Sequence, residues 1–280
     1  MKTKLITLIV LVASVISYAQ DFSGKAIYKT SRKSNFKIGD DSKMSDQQKE
    51  ELMKRVQKMN QKTFVLKFDK YTSTYKQDVK LKAPKPQVGN QRMVVISFGG
   101  SGEGSVYYKN VKENRYANQT EIMSKRFLVK DTLPNYEWEM FSETKNIGNY
   151  TCYKASFTRE VENVKMSFMN GESKEVKEKK MVTTTAWYTP QIPVSNGPDD
   201  YQGLPGLILE VNDGTTTMVC TEIILNPTDK IKITEPEKGK VVTQAEYEKI
   251  SRQKSKEMME RFKSRNGVDL GNGINIKMGG

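Results

Sequence analysis

Leu207-Ile208-Leu209-Glu210-Val211-Asn212-Asp213-Gly214-Thr215-Thr216-Thr217-Met218-Val219-Cys220-Thr221-Glu222-Ile223 decides the architecture. Two runs rich in apolar and β-branched residues flank Asn212-Asp213-Gly214, and Asp-Gly takes the positive φ values that a tight hairpin turn requires. Ile208 to Val211 therefore runs out and Thr215 to Ile223 returns antiparallel to it. The same alternation recurs upstream. Thr63 to Asp69 sets Phe64, Leu66 and Phe68 on one face and Lys67 and Asp69 on the other, the period of a half-buried strand. Tyr71 to Lys76, Arg92 to Phe98, Val106 to Asn110, Ile122 to Lys130, Trp138 to Thr144, Tyr150 to Arg159 and Val182 to Thr189 read likewise. Successive antiparallel strands with no helix between them predict a meander, so the chain is mainly β (α+β), a curved antiparallel sheet.

Two helices accompany the sheet. Ser45 to Asn60 opens on a capping box, Ser45 with Gln48, and aligns Leu52, Val56 and Met59. Thr243 to Arg265 repeats the device with Thr243 and Glu246 and adds Glu248 with Arg252 and Glu257 with Arg261 at i,i+4. Its apolar stripe is thin, Tyr247 and Ile250 and then Met258 and Phe262, so it docks by its ends or projects. The tail from Asn266, rich in Gly and Asn, has too little apolar surface to order itself. Gly99, Gly100, Gly102 and Gly104 precede Val106-Tyr107-Tyr108, which is strand material, so they form a hairpin loop and not a phosphate cradle opening a helix.

The first nineteen residues have the order of an export signal: Lys2 and Lys4, an apolar run from Leu5 to Ile16, then Ser17-Tyr18-Ala19, with Gln20 as the expected mature N-terminus. That run is too short for a helix crossing ~30 Å of hydrocarbon, and no later segment is more apolar. Domain organisation then reads as a signal over 1–19, a β domain over 20–242 with its helix near 45–60, a basic helix over 243–265 and a tail over 266–280.

The chain has 280 residues, 46 Lys and Arg against 33 Asp and Glu, two Cys and no His. Loss of the two leader lysines takes the formal charge from +13 to +11. Without imidazole there is no Ser-His-Asp or Cys-His machinery, and two thiols alone cannot form a four-ligand zinc site, so no metal, cofactor or catalytic set is assigned. In an oxidising compartment Cys152 and Cys220 can close a disulfide; two buried free thiols are the alternative. Positive residues are mostly interleaved with acids, as in Glu172 to Lys180. The basic C-terminal helix suits anionic envelope lipids or glycans better than nucleic acid, which an exported protein seldom meets.

Between Trp187 and Leu207 three prolines stiffen a crossing segment, and Leu204-Pro205-Gly206-Leu207 sets Pro and Gly where a type II turn wants them, with positive φ at Gly206. Gly203-Leu204-Pro205-Gly206-Leu207-Ile208 resembles the signature of the GLPGLI family of exported Bacteroidota proteins. Trp138, Glu143 to Ala155 and Ala186-Trp187-Tyr188-Thr189 with Ile192-Pro193 are similar to its other motifs, so the resemblance covers Trp138 to Val211. Glu160 to Lys180 is longer than the family pattern expects and extends a hairpin. The resemblance implies an exported β-rich protein of unassigned function, periplasmic or secreted, with no catalytic residues to carry over. The strands also resemble the half-barrel sheets of periplasmic lipoprotein carriers, where a curved sheet closes over an apolar pocket.

The functional expectation is a non-catalytic envelope protein that binds a lipid or other apolar or amphipathic ligand, or an outer-membrane protein partner, on the concave face of its sheet. The expected contact segment is Trp187, Tyr188, Pro190, Ile192, Pro193 and Tyr201, aromatics on a proline-stiffened bend that lose little entropy on binding. A purely structural role is the plain alternative. The rival class is a hydrolase using Asp199, Asp200, Glu210 or Asp213, which requires those carboxylates to converge. Asp131-Thr132-Leu133 resembles the Bacteroidota O-glycosylation acceptor, which makes Thr132 a candidate modification site.

Overall fold

The computed structural model describes residues 22–33, 45–79, 104–169, 172–266 and 276–278. The expected export signal, the Arg92 to Phe98 strand and most of the glycine run and tail lie outside them. The described strands are β1 (Ser23–Arg32), β2 (Gln61–Asp69), β3 (Thr72–Gln77), β4 (Val106–Asn110), β5 (Arg115–Ile122), β6 (Lys125–Thr132), β7 (Glu139–Ile147), β8 (Tyr150–Met169), β9 (Glu172–Thr189), β10 (Leu207–Asn212), β11 (Thr216–Leu225), β12 (Lys240–Val242) and β13 (Ile276–Met278). The helices are α1 (Asp46–Met59) and α2 (Gln244–Asn266).

All the described strands belong to one open, curved sheet in the order β12-β6-β5-β4-β3-β2-β1-β11-β10-β9-β8-β13, with β7 also on β8. It consists of two meanders sewn together. β1 pairs with β2 on one side, Ala26 opposite Leu66, and with β11 on the other, Tyr28 opposite Cys220, both antiparallel. The only parallel pair among the described strands is β12 with β6. The mainly β architecture with two accessory helices is therefore as expected, although β1 at the centre of the sheet was not foreseen.

The Asp-Gly hairpin forms, but the positive φ falls on Gly214 and not on Asp213. Gly214 has φ +84°, and Asp213 Oδ1 accepts the Thr215 and Thr216 N–H groups at 2.8 and 2.5 Å. The expected single strand over Ile122 to Lys130 is instead a tight hairpin, β5 turning into β6 at Met123 and Ser124, with φ of 47° and 65°. No Gly or Asn marks that turn, so composition hid it. Both capping boxes close reciprocally: Ser45 N–H donates to Gln48 at 2.9 Å, and Thr243 N–H donates to Glu246 at 2.9 Å.

Alternation gives the sheet two apolar faces. The concave face collects Ala26, Tyr28, Leu66, Phe68, Tyr75, Tyr107, Phe127, Leu207 and Leu209, and the underside of α2 adds Tyr247 and Ile250. On the opposite face Phe157, Tyr188 and Ile208 pack with Tyr136, Trp138 and Tyr201. β10 is buried on both sides. Beyond the body, β8 and β9 continue as a long arm, register unbroken from Tyr153 opposite Tyr188 to Met169 opposite Glu172, with β13 added on β8 from Val164 to Met166. β10 covers the outer edge of β9 only over Thr185–Thr189, so from Thr184 outward that edge has no strand neighbour among the described residues. No helix among the described residues is long and apolar enough to cross a membrane.

Candidate functional site

The segment between β9 and β10, residues 190–206, is a strap that packs into both apolar clusters, Ile192 and Val194 with Leu207 and Leu209, and Tyr201 and Leu204 with Ile208. Its two ends are tied together, since Leu207 N–H donates to the Ile192 carbonyl at 2.9 Å. Ile192 and Val194 then enter the core beside Leu207 and Leu209, at 0% and 2% exposure. Asn196 is also buried, its side-chain oxygen accepting the Ser73 hydroxyl from β3 at 3.1 Å and the Gly197 N–H at 2.9 Å. From β4 the fully buried Lys109 donates to the carbonyls of Gly197 at 2.7 Å and Tyr201 at 3.0 Å. Tyr28 of β1 donates its hydroxyl to Ile208 O at 2.7 Å, and Trp138 donates Nε1–H to Gln202 O at 2.9 Å. Lys109 was not singled out in the sequence: alternation along β4 puts it on the face of Tyr107, but a lysine reads as solvated until something covers it.

Electrostatics at the latch follow from burial. Desolvation pushes the Lys109 ammonium down to about 7, against the opposing pull of Asp200 and Asp199. Asp199 is pushed up, first by burial and then by Asp200, while Lys109 acts the other way. Tyr107, Tyr136 and Tyr201 are raised by burial and by the same carboxylates. A lysine with its head on two main-chain carbonyls inside this shell fastens a strap.

The signature hexapeptide is the exit of that strap. Gly203 carries the positive φ, +95°, with the Trp138 ring 3.6 Å from where a Cβ would sit. Gly206 does not, which corrects the type II turn: Gly206 N–H instead donates to Leu204 O at 2.8 Å, a tighter three-residue turn around Pro205. Gly206 is required for space, because a Cβ there would meet the Thr189 carbonyl oxygen at 2.2 Å. Leu204, Leu207 and Ile208 are buried, and Leu207 and Ile208 serve opposite faces of the sheet.

The expected contact segment divides. Pro190 and Pro193 are exposed, whereas Ile192, Tyr188 and Tyr201 are buried. Trp187 is half-buried under the Lys145 ammonium, 4.4 Å from its ring centre, and Lys145 in turn donates to Glu210 at 2.7 Å. The strap is thus part of the core on both faces of the sheet. Of the four carboxylates of the hydrolase reading, Asp199 and Asp200 act together on Lys109, Glu210 pairs with Lys145, and Asp213 caps the hairpin. Cys152 and Cys220 are free buried thiols, the second of the two alternatives; β9 and β10 lie between their strands. Thr132 is exposed at the end of β6, its N–H accepted by Asp131 at 2.8 Å, with Leu133 anchored in the core.

One groove lies between sheet and helix. The β5–β6 turn and the α2 flank enclose about 320 Å³ lined by Ile122, Met123, Phe127, Ile250 and Met258, with Lys125, Lys254 and Glu257. The sequence reading missed it, because Ser251 to Glu257 looks wholly polar; yet Ser255 is buried, so α2 stays seated through that stretch.

Residues 138–210 match a family model described as "Protein of unknown function (Porph_ging)", the stretch that spans β7 to β10 and the strap. Among solved structures the chain is similar to "Structure of PNGF-II in C2 space group", at TM-score 0.46 and 14% identity over 83% of this chain and 33% of that one. "Structure of PNGF-II in P21 space group" is similar at TM-score 0.46 and 15% identity, over 83% and 34%. The chain thus spans about a third of the length of the solved chains it matches. No curated protein matches it.

Proposed function

We propose that this chain is an exported, non-catalytic protein of the GLPGLI type that binds a single-chain amphipathic ligand with an anionic head at the bacterial envelope. The observation that carries the reading is the groove between the β5–β6 turn and α2. At about 320 Å³ it stands at the lower end of the ~300–1,000 Å³ typical of small-molecule sites, and apolar side chains dominate its lining. Lys125 and Lys254 outnumber Glu257 there, and Glu257 holds Lys254 at 2.6 Å, which favours an anionic head over a cationic one. Ile192, Val194, Tyr201 and Leu204 of the strap are buried in the core, which supports placing the ligand at the groove on the margin. Export rests on the order of charge, apolar run and small residues at the N-terminus, and Thr132 is kept as the O-glycan acceptor because it is exposed at a strand end.

Native mass spectrometry of protein purified gently from its own envelope, with calorimetric titration of laurate below its micelle concentration, tests the reading. One equivalent bound, and lost in both Ile250→Asp and Lys125→Glu, is the expected result. Protein that carries no lipid natively and takes up no laurate overturns it.

A further inference from the structure

The face of the sheet opposite the concave one treats its basic residues in two ways. Around β5 and β6 they are answered. Arg115 and Lys130 share Glu235, at 2.9 and 3.3 Å, and Ile233 of the same segment covers Tyr108, Ala117 and Leu128. Over β1, β2 and β3 they are not. Alternation turns Lys25, Ile27 and Lys29 of β1, Val65 and Lys67 of β2 and Lys76 of β3 away from the core that Ala26, Tyr28, Leu66 and Tyr75 enter. Register sets Lys25 directly opposite Lys67, and Val65 opposite both Ile27 and Lys76. Side chains so placed stand about 5 Å apart at Cβ, and like charges facing one another there destabilise a sheet. None of these four lysines has an ion-pair partner among the described residues. The acids near them stand at the margin: Glu222 opposite Ile27 on β11, Asp78 just past β3, and Asp69, whose carboxylate accepts the Tyr71 and Thr72 N–H groups.

The result is an aliphatic centre ringed by lysines. Lys29, Lys67 and Lys76 are exposed, Lys25, Ile27 and Val65 are partly so, and Ile224, opposite Lys25, is 38% exposed. We propose that this face docks on an anionic bilayer, its lysines reaching lipid phosphates and its aliphatic centre resting on the interface. Charge argues for that occupant. Four unanswered ammonium groups gather on one face, each a point charge on a flexible stem that covers apolar surface while its head reaches outward. An anionic leaflet attracts such residues one by one, and it offsets the repulsion between Lys25 and Lys67 that the fold alone leaves standing. Protein interfaces are depleted in lysine, and no amide or aromatic side chain lies among these residues to read a sugar's hydroxyls. The docking face shares the envelope location with the ligand reading but none of the groove's residues, so the two fail separately.

Co-sedimentation of the mature protein with vesicles tests it, on phosphatidylcholine alone and on phosphatidylcholine with about one phosphatidylglycerol in three, at low and high salt. The wild type should pellet with the anionic vesicles at low salt, be released at high salt and stay free of the neutral ones. Lys67→Glu gives Lys25 an opposite charge, so it should melt no lower than wild type while its affinity for the anionic vesicles falls about tenfold. Arg252→Glu with Lys256→Glu, on the exposed face of α2, should leave vesicle binding as it is. A wild type that ignores the anionic vesicles, a Lys67→Glu protein that binds them equally well, or binding abolished by the α2 changes each overturns the proposal. So does capture of dextran sulfate without capture of vesicles, which would assign the face to a polyanionic glycan. A wild type that binds the vesicles and no laurate upholds the docking face and sinks only the groove.

Discussion

Gly206 and Gly214 both stand in turns, yet they are held for different reasons. Gly214 has φ +84° with nothing within 4 Å of a would-be Cβ, while Gly206 faces the Thr189 carbonyl oxygen at 2.2 Å. Gly206→Val therefore overpacks the strap exit against main chain that cannot yield, at a cost of ~2–3 kcal/mol. Gly214→Ala meets only the backbone penalty of ~1 kcal/mol. In a thermal melt the first should lower Tm by roughly 4–10 °C and the second by about 2–4 °C. Equal shifts would show that conformation, not space, governs Gly206. The residue type at 206 was predictable from Pro-Gly, but the reason for it was not, since close approach depends on β9 lying alongside, which local sequence does not carry.

Elements were readable where one face is buried and the turn chemistry is explicit. The Asp-Gly hairpin and both capping boxes formed at the residues named for them. β1 escaped because its core contacts are the small Ala26 and a single aromatic, Tyr28, among Gly, Ser, Thr and Lys. The β5–β6 turn escaped because Met123 and Ser124 take positive φ without a residue type that announces it. α2 bears most directly on function, because one of its flanks is a wall of the groove. Its first turn is fixed by Thr243 Oγ1 accepting the Glu246 N–H at 3.3 Å and by Gln244 N–H donating to Asp131 at 3.1 Å. Thr243→Ala should destabilise the helix by ~1 kcal/mol and loosen its seat on Phe127. The measurement is laurate affinity together with hydrogen exchange over 244–258: exchange should quicken there and the affinity should fall. Unchanged exchange would mean that the core contacts of Tyr247 and Ile250 hold α2 without its cap.

For the molecule as a whole, the strap makes stability depend on the protonation of one lysine. Lys109 titrates at about 7 when folded, against ~10.4 for an exposed lysine, so between those values the unfolded chain binds the extra proton. Stability contributed by this group therefore rises with pH from about 7 to 10 and is lowest below 7, where the buried ammonium is charged. Urea denaturation at pH 7, 8 and 9 should show that rise in the wild type and a flatter profile in Lys109→Met. The variant should also be less stable at every pH, because the Gly197 and Tyr201 carbonyls lose their donor. Parallel profiles would show that Lys109 does not titrate in this window.

The seam at β1 sets the order in which the molecule can come together. Gly24 is opposite Phe68 on one side and Leu225 on the other, so one short strand joins neighbours about forty and about two hundred positions away. The first pairing closes a modest loop, but the second must gather nearly the whole described chain, and contacts of such long sequence separation are what slow a β protein's folding to milliseconds or seconds. Until β11 arrives, β1 is a bare edge whose apolar face has no β11 and no strap over it. A chain interrupted before Thr216 keeps one meander and a sticky border. The delay before that border closes is the interval in which the protein is most open to misassembly.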